Sequence, residues 1–290
     1  NTSGSANVAV GYRALDANTT ADNNVAIGQA ALGLNTTGTA NVAIGHNALD
    51  ANTTASFNFA GGKDALGANT TGAENVAIGY LALTNNTTGT HNVAVGSSDG
   101  SSRATLGTND TGSNNTALGM QSLGSNTSAD NNTAVGYQAL KANTTAANNT
   151  AVGQIALTGN TTGAQNIAIG ASSLAGSNTG DNNISVGFNS MLANTSGGNN
   201  VAIGRDSLND NTTASNNVGV GHNSLSKNTT GAQNVAVGAN ALDANTSAGN
   251  NVAVGKDALT ANTTGGNNTA VGTFALDSNT EAASNVAVGY

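Results

Sequence analysis

The residues of this chain that could do chemistry are few and far apart. Its three histidines stand at His46, His91 and His222, and it has no cysteine. A catalytic or metal site needs such groups to converge from elements that hold them within reach of one another. No paired carboxylates, Ser-His-Asp set or His/Cys cluster stands at a spacing that would bring this about, and the calcium-binding pattern Gly-Gly-x-Gly-x-Asp is missing. The sequence therefore predicts a non-enzyme with no cofactor and no metal. Aromatic side chains do recur in a pattern. Tyr12, Tyr80, Tyr137 and Tyr290 occupy one position of a repeating unit, Phe188 shares it, and Phe274 follows one position later. The plain reading of this ridge is a solvated edge. The functional one is contact with glycans or with neighbouring fibres.

The elements that would position these residues come from a 17-residue repeat. Its closing glycines run from Gly11 to Gly289, and fifteen of the sixteen intervals between them are 17 residues long. The interval from Gly96 to Gly119 is 23, which places a six-residue insertion near residues 97–102. A short fixed period means one small unit stacked on copies of itself. Slots are numbered from the asparagine that opens each copy. Slot 1 is Asn7, Asn24, Asn41, Asn58, Asn75, Asn92, Asn115, Asn132, Asn149, Asn166, Asn183, Asn200, Asn217, Asn234, Asn251, Asn268 and Asn285. Slot 2 is Val, Ile, Phe or Thr, and slot 3 is Ala except at Ser185 and Gly219. Slot 4 is aliphatic except at Gly61, slot 5 is always Gly, and slot 9 is Leu except at Met191. Slots 12 to 15 read Asn-Thr-Thr-Gly or close to it.

Alternation over slots 2 to 4 describes a short strand with slots 2 and 4 on one face. Slots 8 and 9 suggest a second extended segment, and the Asn-Thr-Thr-Gly run a corner. Two strands and two corners in each copy predict an all-β fold, a parallel β-solenoid of seventeen coils, stacked ~4.8 Å apart into a rod of roughly 80 Å. It is read as one domain over residues 1–290, a window of a longer protein. Slots 2, 4 and 9 are expected inside, where Phe59 at slot 2 trades volume with Gly61 at slot 4. Slot 3, always small, is expected to point outward against the backbone of another chain. The invariant slot 1 asparagines, and likewise those of slot 12, where only Ser177 departs from Asn, are expected to staple the coils as an amide ladder.

Composition narrows the partners. Seven basic residues and a net charge of −8 cannot neutralise a phosphate backbone, which argues against nucleic acid. No apolar run is long enough to span a bilayer. The Asn-Thr-Thr and Asn-Thr-Ser triplets match the N-glycosylation sequon, accidentally in a bacterial or phage product. They would mean heavy glycosylation in an archaeal or eukaryotic secreted one.

The motif Asn-Val-Ala-Val-Gly-x-x-Ala-Leu, as from Asn234 to Leu242, resembles the head repeats of trimeric autotransporter adhesins. With Asn-Thr-Thr-Gly between motifs it also resembles repeat tracts of bacteriophage tail fibres, which often end in a self-cleaving chaperone domain. The resemblance spans the whole chain. It implies a left-handed β-roll, three chains side by side as a homotrimer or bundled filament, and an extracellular place on a cell surface or virion. Adhesin heads run on a shorter coil, so the extra residues here fall most simply in the Asn-Thr-Thr corner. The implied function is a structural, adhesive fibre segment that presents a receptor-binding tip, with a glycan or receptor as a further partner. An alternative is an ice-binding solenoid built on the stacked Thr ranks of slots 13 and 14.

Overall fold

The computed structural model describes residues 1–100 and 103–290. They form two compact units, Asn1–Asn148 and Asn149–Tyr290, and each is a parallel β-solenoid. The first carries β1 (Val8–Val10), β2 (Val25–Ile27), β3 (Val42–Ile44), β4 (Phe59–Gly61), β5 (Val76–Ile78), β6 (Val93–Val95), β7 (Thr116–Leu118) and β8 (Thr133–Val135). The second carries β9 (Thr150–Val152), β10 (Ile167–Ile169), β11 (Ile184–Val186), β12 (Val201–Ile203), β13 (Val218–Val220), β14 (Val235–Val237), β15 (Val252–Val254), β16 (Thr269–Val271) and β17 (Val286–Val288). Within each unit successive strands pair in parallel, slot for slot, as Ala26 with Ala43 and Ala253 with Ala270.

Among the described residues each coil holds one strand, not the two expected. The stretch from slot 6 to slot 11 is a run of turns, and slots 7 and 9 are left-handed, as at Leu81 (φ 59°) and Leu83 (φ 53°). Slot 17 is left-handed as well, for example Asn131 (φ 59°). Residues other than Gly and Asn are strained in this backbone shape, so the stack must impose it. Hydrogen bonds between coils do so: Leu32 N–H donates to Ala48 O (3.0 Å), Gly28 N–H to Val10 O (2.8 Å) and Thr36 N–H to Thr53 O (2.9 Å).

The faces of the strand are the reverse of the sequence expectation. Slot 3 points inward: Ala26, Ala43, Ala77 and Ala253 are fully buried. Slots 2 and 4 point outward, with Ile27, Ile44, Ile78 and Ile203 exposed. Only slot 9 of the three expected core slots is inside, as Leu32 through Leu259. The reason is width. The wall opposite slot 3 is the Leu and small residue of slots 9 and 8, together with two buried asparagines, and a methyl group fills what remains. The two exceptions at slot 3 obey the same rule. Ser185 accepts a hydrogen bond from Ser173 (2.8 Å), and a Cβ at Gly219 would stand 2.7 Å from Ser207 Oγ and 2.9 Å from Ser224 Oγ. Ala77→Val should therefore overpack the coil and cost ~1–3 kcal/mol, while Val76→Thr, outward on the same strand, should leave monomer stability nearly unchanged. Denaturant midpoints of the two variants check the orientation directly.

Most of the slot 1 and slot 12 asparagines are buried and hydrogen-bonded, while Asn251 Nδ2 is a buried donor with no partner among the described residues. At slot 1 the side chain braces backbone: Asn24 Oδ1 accepts from Asn41 N (2.9 Å), and Asn24 Nδ2 donates to Gly38 O (2.9 Å). Amide-to-amide bonds join slot 1 in some coils, as from Asn58 Nδ2 to Asn41 Oδ1 (3.3 Å) and from Asn285 Nδ2 to Asn268 Oδ1 (3.0 Å). The ladder is more regular at slot 12, where Asn52 Nδ2 donates to Asn35 Oδ1 (2.8 Å) and to its own turn at Ala55 O (3.0 Å). The copy with Ser177 at slot 12 keeps its rung. Asn178 takes it, donating to Asn160 Oδ1 (2.9 Å) and accepting from Asn194 Nδ2 (2.7 Å). The insertion near 97–102 begins later than expected. Ser98 N–H still bonds Tyr80 O (3.1 Å) as slot 7, and Leu83 N–H bonds Thr105 O (3.1 Å) as slot 8. The six added residues therefore fall between Ser98 and Thr105, and 101 and 102 lie outside the described residues.

Candidate interaction surface

The strand that builds the core also builds the most distinctive surface. Every strand sends its slot 2 and slot 4 side chains outward, and parallel in-register pairing stacks them into two columns in each unit. In all seventeen copies these slots hold Val, Ile, Leu, Phe, Thr or Gly and never a charge. In the first unit Ile27 is 38% exposed, Ile44 42%, Ile78 42% and Leu118 46%. Fully burying such a side chain removes on the order of 100 Å² of apolar surface. Two partly covered side chains per strand thus leave several hundred Å² of contiguous apolar face on each unit. The largest apolar patch of a soluble monomer is usually about 300–600 Å² and often functional.

The two columns differ in chemistry. Slot 2 becomes Thr at Thr116, Thr133, Thr150 and Thr269, whereas slot 4 never does. Slot 4 is therefore the more strictly apolar column, and slot 2 the one that tolerates contact with water.

The aromatic ridge borders this face, just past the slot 5 glycine. Tyr12, Tyr80 and Tyr137 in the first unit and Phe188, Phe274 and Tyr290 in the second are all exposed, as expected. The ridge is not bare rings. Lys63 Nζ lies 5.7 Å from the centre of the Tyr80 ring, Arg205 Cζ 5.9 Å from Phe188 and Lys256 Nζ 4.9 Å from Phe274, distances at which a cation is attracted to the ring face. Arg13 Cζ stands 5.7 Å from the Tyr12 ring, and Phe274 meets Tyr290 edge-on at 6.0 Å. Tyr137 instead joins a polar chain: Gln138 Nε2 bonds its hydroxyl (3.0 Å) and Gln121 Oε1 (2.7 Å), and Gln121 Nε2 bonds Asp99 Oδ2 (2.8 Å). Hydrogen bonds from Lys256 and then Asn240 hold the Asp257 carboxyl below its ordinary value.

The histidines are spread over separate coils. His46 sits 3.9 Å from Asp64 Oδ1, and His91 Nε2 sits 3.0 Å from Glu74 Oε2. Among the described residues no three His, Asp or Glu side chains group closely enough to hold a metal ion. A shallow cavity of about 280 Å³ is lined by Arg13, Asp16, Ala30, Gly33, Leu34 and Asp50. Burial pushes the Asp50 carboxyl up, and His46 opposes that shift.

The Thr ranks are unequal. At slot 13 the hydroxyl is taken up within the stack, Thr36 Oγ1 donating to Thr53 O (3.0 Å) and Thr70 Oγ1 to Thr87 O (3.0 Å). At slot 14 Thr37, Thr54, Thr71 and Thr88 are exposed. The slot 12 asparagines that open the sequon triplets, such as Asn35, Asn52 and Asn86, are buried within the ladder.

Sequence reasoning named the ridge and the asparagines but missed the apolar face, assigning its residues to the core. One signal was available: slot 2 accepts Thr in four copies, while slot 3 accepts nothing larger than Ser. No protein-family model matches the chain, and no curated protein matches it.

Proposed function

We propose that this chain is a structural, adhesive segment of an extracellular fibre, a phage tail fibre or bacterial surface adhesin, in which copies of the chain associate as a homotrimer. The observation that carries the reading is the uncharged aliphatic face of slots 2 and 4. A partner chain was expected against slot 3, but slot 3 is buried within the coil. The surface left wanting a partner is the one on the opposite side of the strand. Its near-identical repetition suits another copy of the same face, since a closed ring of like subunits uses the same patches on each. The stacked coils serve as a spacer that holds a tip away from its base, and the aromatic ridge, beside the interface and still open, is the edge that meets a glycan or receptor.

Light scattering on the full chain tests this. The expected mass is three times 27.9 kDa. Ile44→Lys combined with Ile78→Lys should reduce it to a single chain while the circular dichroism stays that of the parent, because both side chains point away from the coil interior. A parent that is a stable, monodisperse monomer would refute the fibre reading. That result would favour the ice-binding alternative through the exposed slot 14 rank, to be measured by inhibition of ice recrystallisation.

A further inference from the structure

A face that repeats at every coil raises a problem of register. One copy slid along another by a coil, ~4.8 Å, would cover nearly the same aliphatic area, so area alone cannot fix how copies align. Something must break the repeat, and the largest break on the face of the first unit is the coil of β4. It carries Phe59 where other copies have Val, Ile or Thr, and Gly61 where all others have a branched aliphatic. The ring of Phe59 leans along the strand over Gly61: a Cβ built there would meet Phe59 Cε1 at 3.2 Å. Gly61 pairs with Ile44 on one side and Ile78 on the other, so the ring fills the gap that the glycine leaves in the slot 4 column. Two residues earlier Phe57 is 63% exposed at slot 17, a slot filled elsewhere by Ala, Asn, Gln, Glu, His or Ser.

Volume compensation of this kind belongs to packed interiors, where a lost side chain leaves a cavity and an added one strains its neighbours. On a surface that meets only water, neither the missing side chain nor the large one has such a consequence. The trade between Phe59 and Gly61 lies on the outward face, and it keeps that face filled.

We propose that the β4 rung is a register key for self-association: Phe59 and Gly61 of one copy pack against the same rung of another, so that copies stand parallel and level. The inference rests on the self-association proposed above. Ring-against-ring contact is available only when two β4 rungs coincide, and aromatic pairs gain beyond the area they cover. A slip of one coil sets Phe59 against the Val42 or Val76 rung instead and leaves the ring without its counterpart.

The chain has no cysteine, so a single introduced thiol can carry a spin label at one chosen coil. Thr37→Cys and Thr71→Cys, both on the exposed slot 14, are labelled separately in the full chain, and distances between copies are measured by double electron–electron resonance. The expected result is one narrow distance, the same at both positions. Replacing the key by consensus residues, Phe59→Val with Gly61→Val, should keep the mass but broaden the distribution at least twofold. Rebuilding the rung one coil on, by adding Val76→Phe and Ile78→Gly to that variant, should narrow it again. An unchanged narrow distance in Phe59→Val/Gly61→Val would overturn the key and leave the fibre reading standing. Unequal or broad distances in the parent would overturn level association. A monomeric parent would overturn both proposals, and light scattering identifies that case before any label is read.

Discussion

Gly79→Ala should open the stack at the coil it closes and cost more than ~4 kcal/mol, a size reached by few single substitutions and only through a specific mechanism. Two mechanisms act together here. Gly79 has φ of 125°, in a region that side chains other than glycine's hydrogen rarely enter, and backbone strain of this class costs ~1–3 kcal/mol by itself. The added Cβ would also stand 2.2 Å from Gly96 O and 2.7 Å from Gly96 C. These are backbone atoms of the next coil, which cannot swing aside as a side chain would. Relief requires the two coils to part, and parting breaks the ladder between β5 and β6. Because each coil contacts mainly its neighbours, the damage should be local. Hydrogen exchange should show lost protection around Gly79 and Gly96 with the second unit still protected. A variant with the parent's unfolding midpoint and protection would refute the role given to slot 5.

The second large effect is expected at slot 12. Asn86→Ala should destabilise the protein by about 3–6 kcal/mol. Asn86 is fully buried. Its Nδ2 donates to Asn69 Oδ1 (2.8 Å) and Gly89 O (2.9 Å), and its Oδ1 accepts from Asn109 Nδ2 (2.8 Å). Alanine leaves three buried partners unmatched, each at a cost of ~1–3 kcal/mol. The neighbouring Thr88→Ala, on the exposed slot 14, should stay within ~0.5 kcal/mol.

Asn86→Asp separates donor loss from volume loss. A carboxylate there would be buried facing two acceptors, so its pKa in the folded state is raised above the unfolded carboxylate value of about 3.9. The protonated acid can donate one of the two hydrogen bonds. Stability of this variant is therefore greatest below the unfolded pKa and is lost as pH rises through the folded one. Thermal melts at acid and neutral pH read the sign. An Asn86→Asp protein that is as stable at neutral pH as in acid would show that the ladder does not depend on amide donors.

These two sites show what a single chain can declare about its own structure. The period, the solenoid, the corner at Asn-Thr-Thr-Gly and the need for glycine at slot 5 are all legible. Each is a requirement that every coil meets in the same way, and repetition of identical environments writes identical residues. The slot 12 rung was legible except at Ser177, where a corner shortened by one residue lets Asn178 take the place. Local sequence cannot register such a shift, because the rung is set by the coils on either side.

What the tertiary structure alone decided is which side of the strand is inside. A two-residue alternation distinguishes two faces but does not orient them, and the aliphatic face of Val and Ile is the natural choice for a core. The coil is too narrow for that choice. Leu83, Ala82, Asn75 and Asn86 already fill the interior, and only a methyl group, such as that of Ala77, fits against them. The larger aliphatics are turned outward by lack of room, and the invariance of alanine marks a closed interior where it had suggested a crowded interface. The left-handed leucines at slot 9 were hidden for a related reason. Nothing in a leucine's own preferences points to that backbone shape, and it persists because the hydrogen bonds of the coils above and below leave no other.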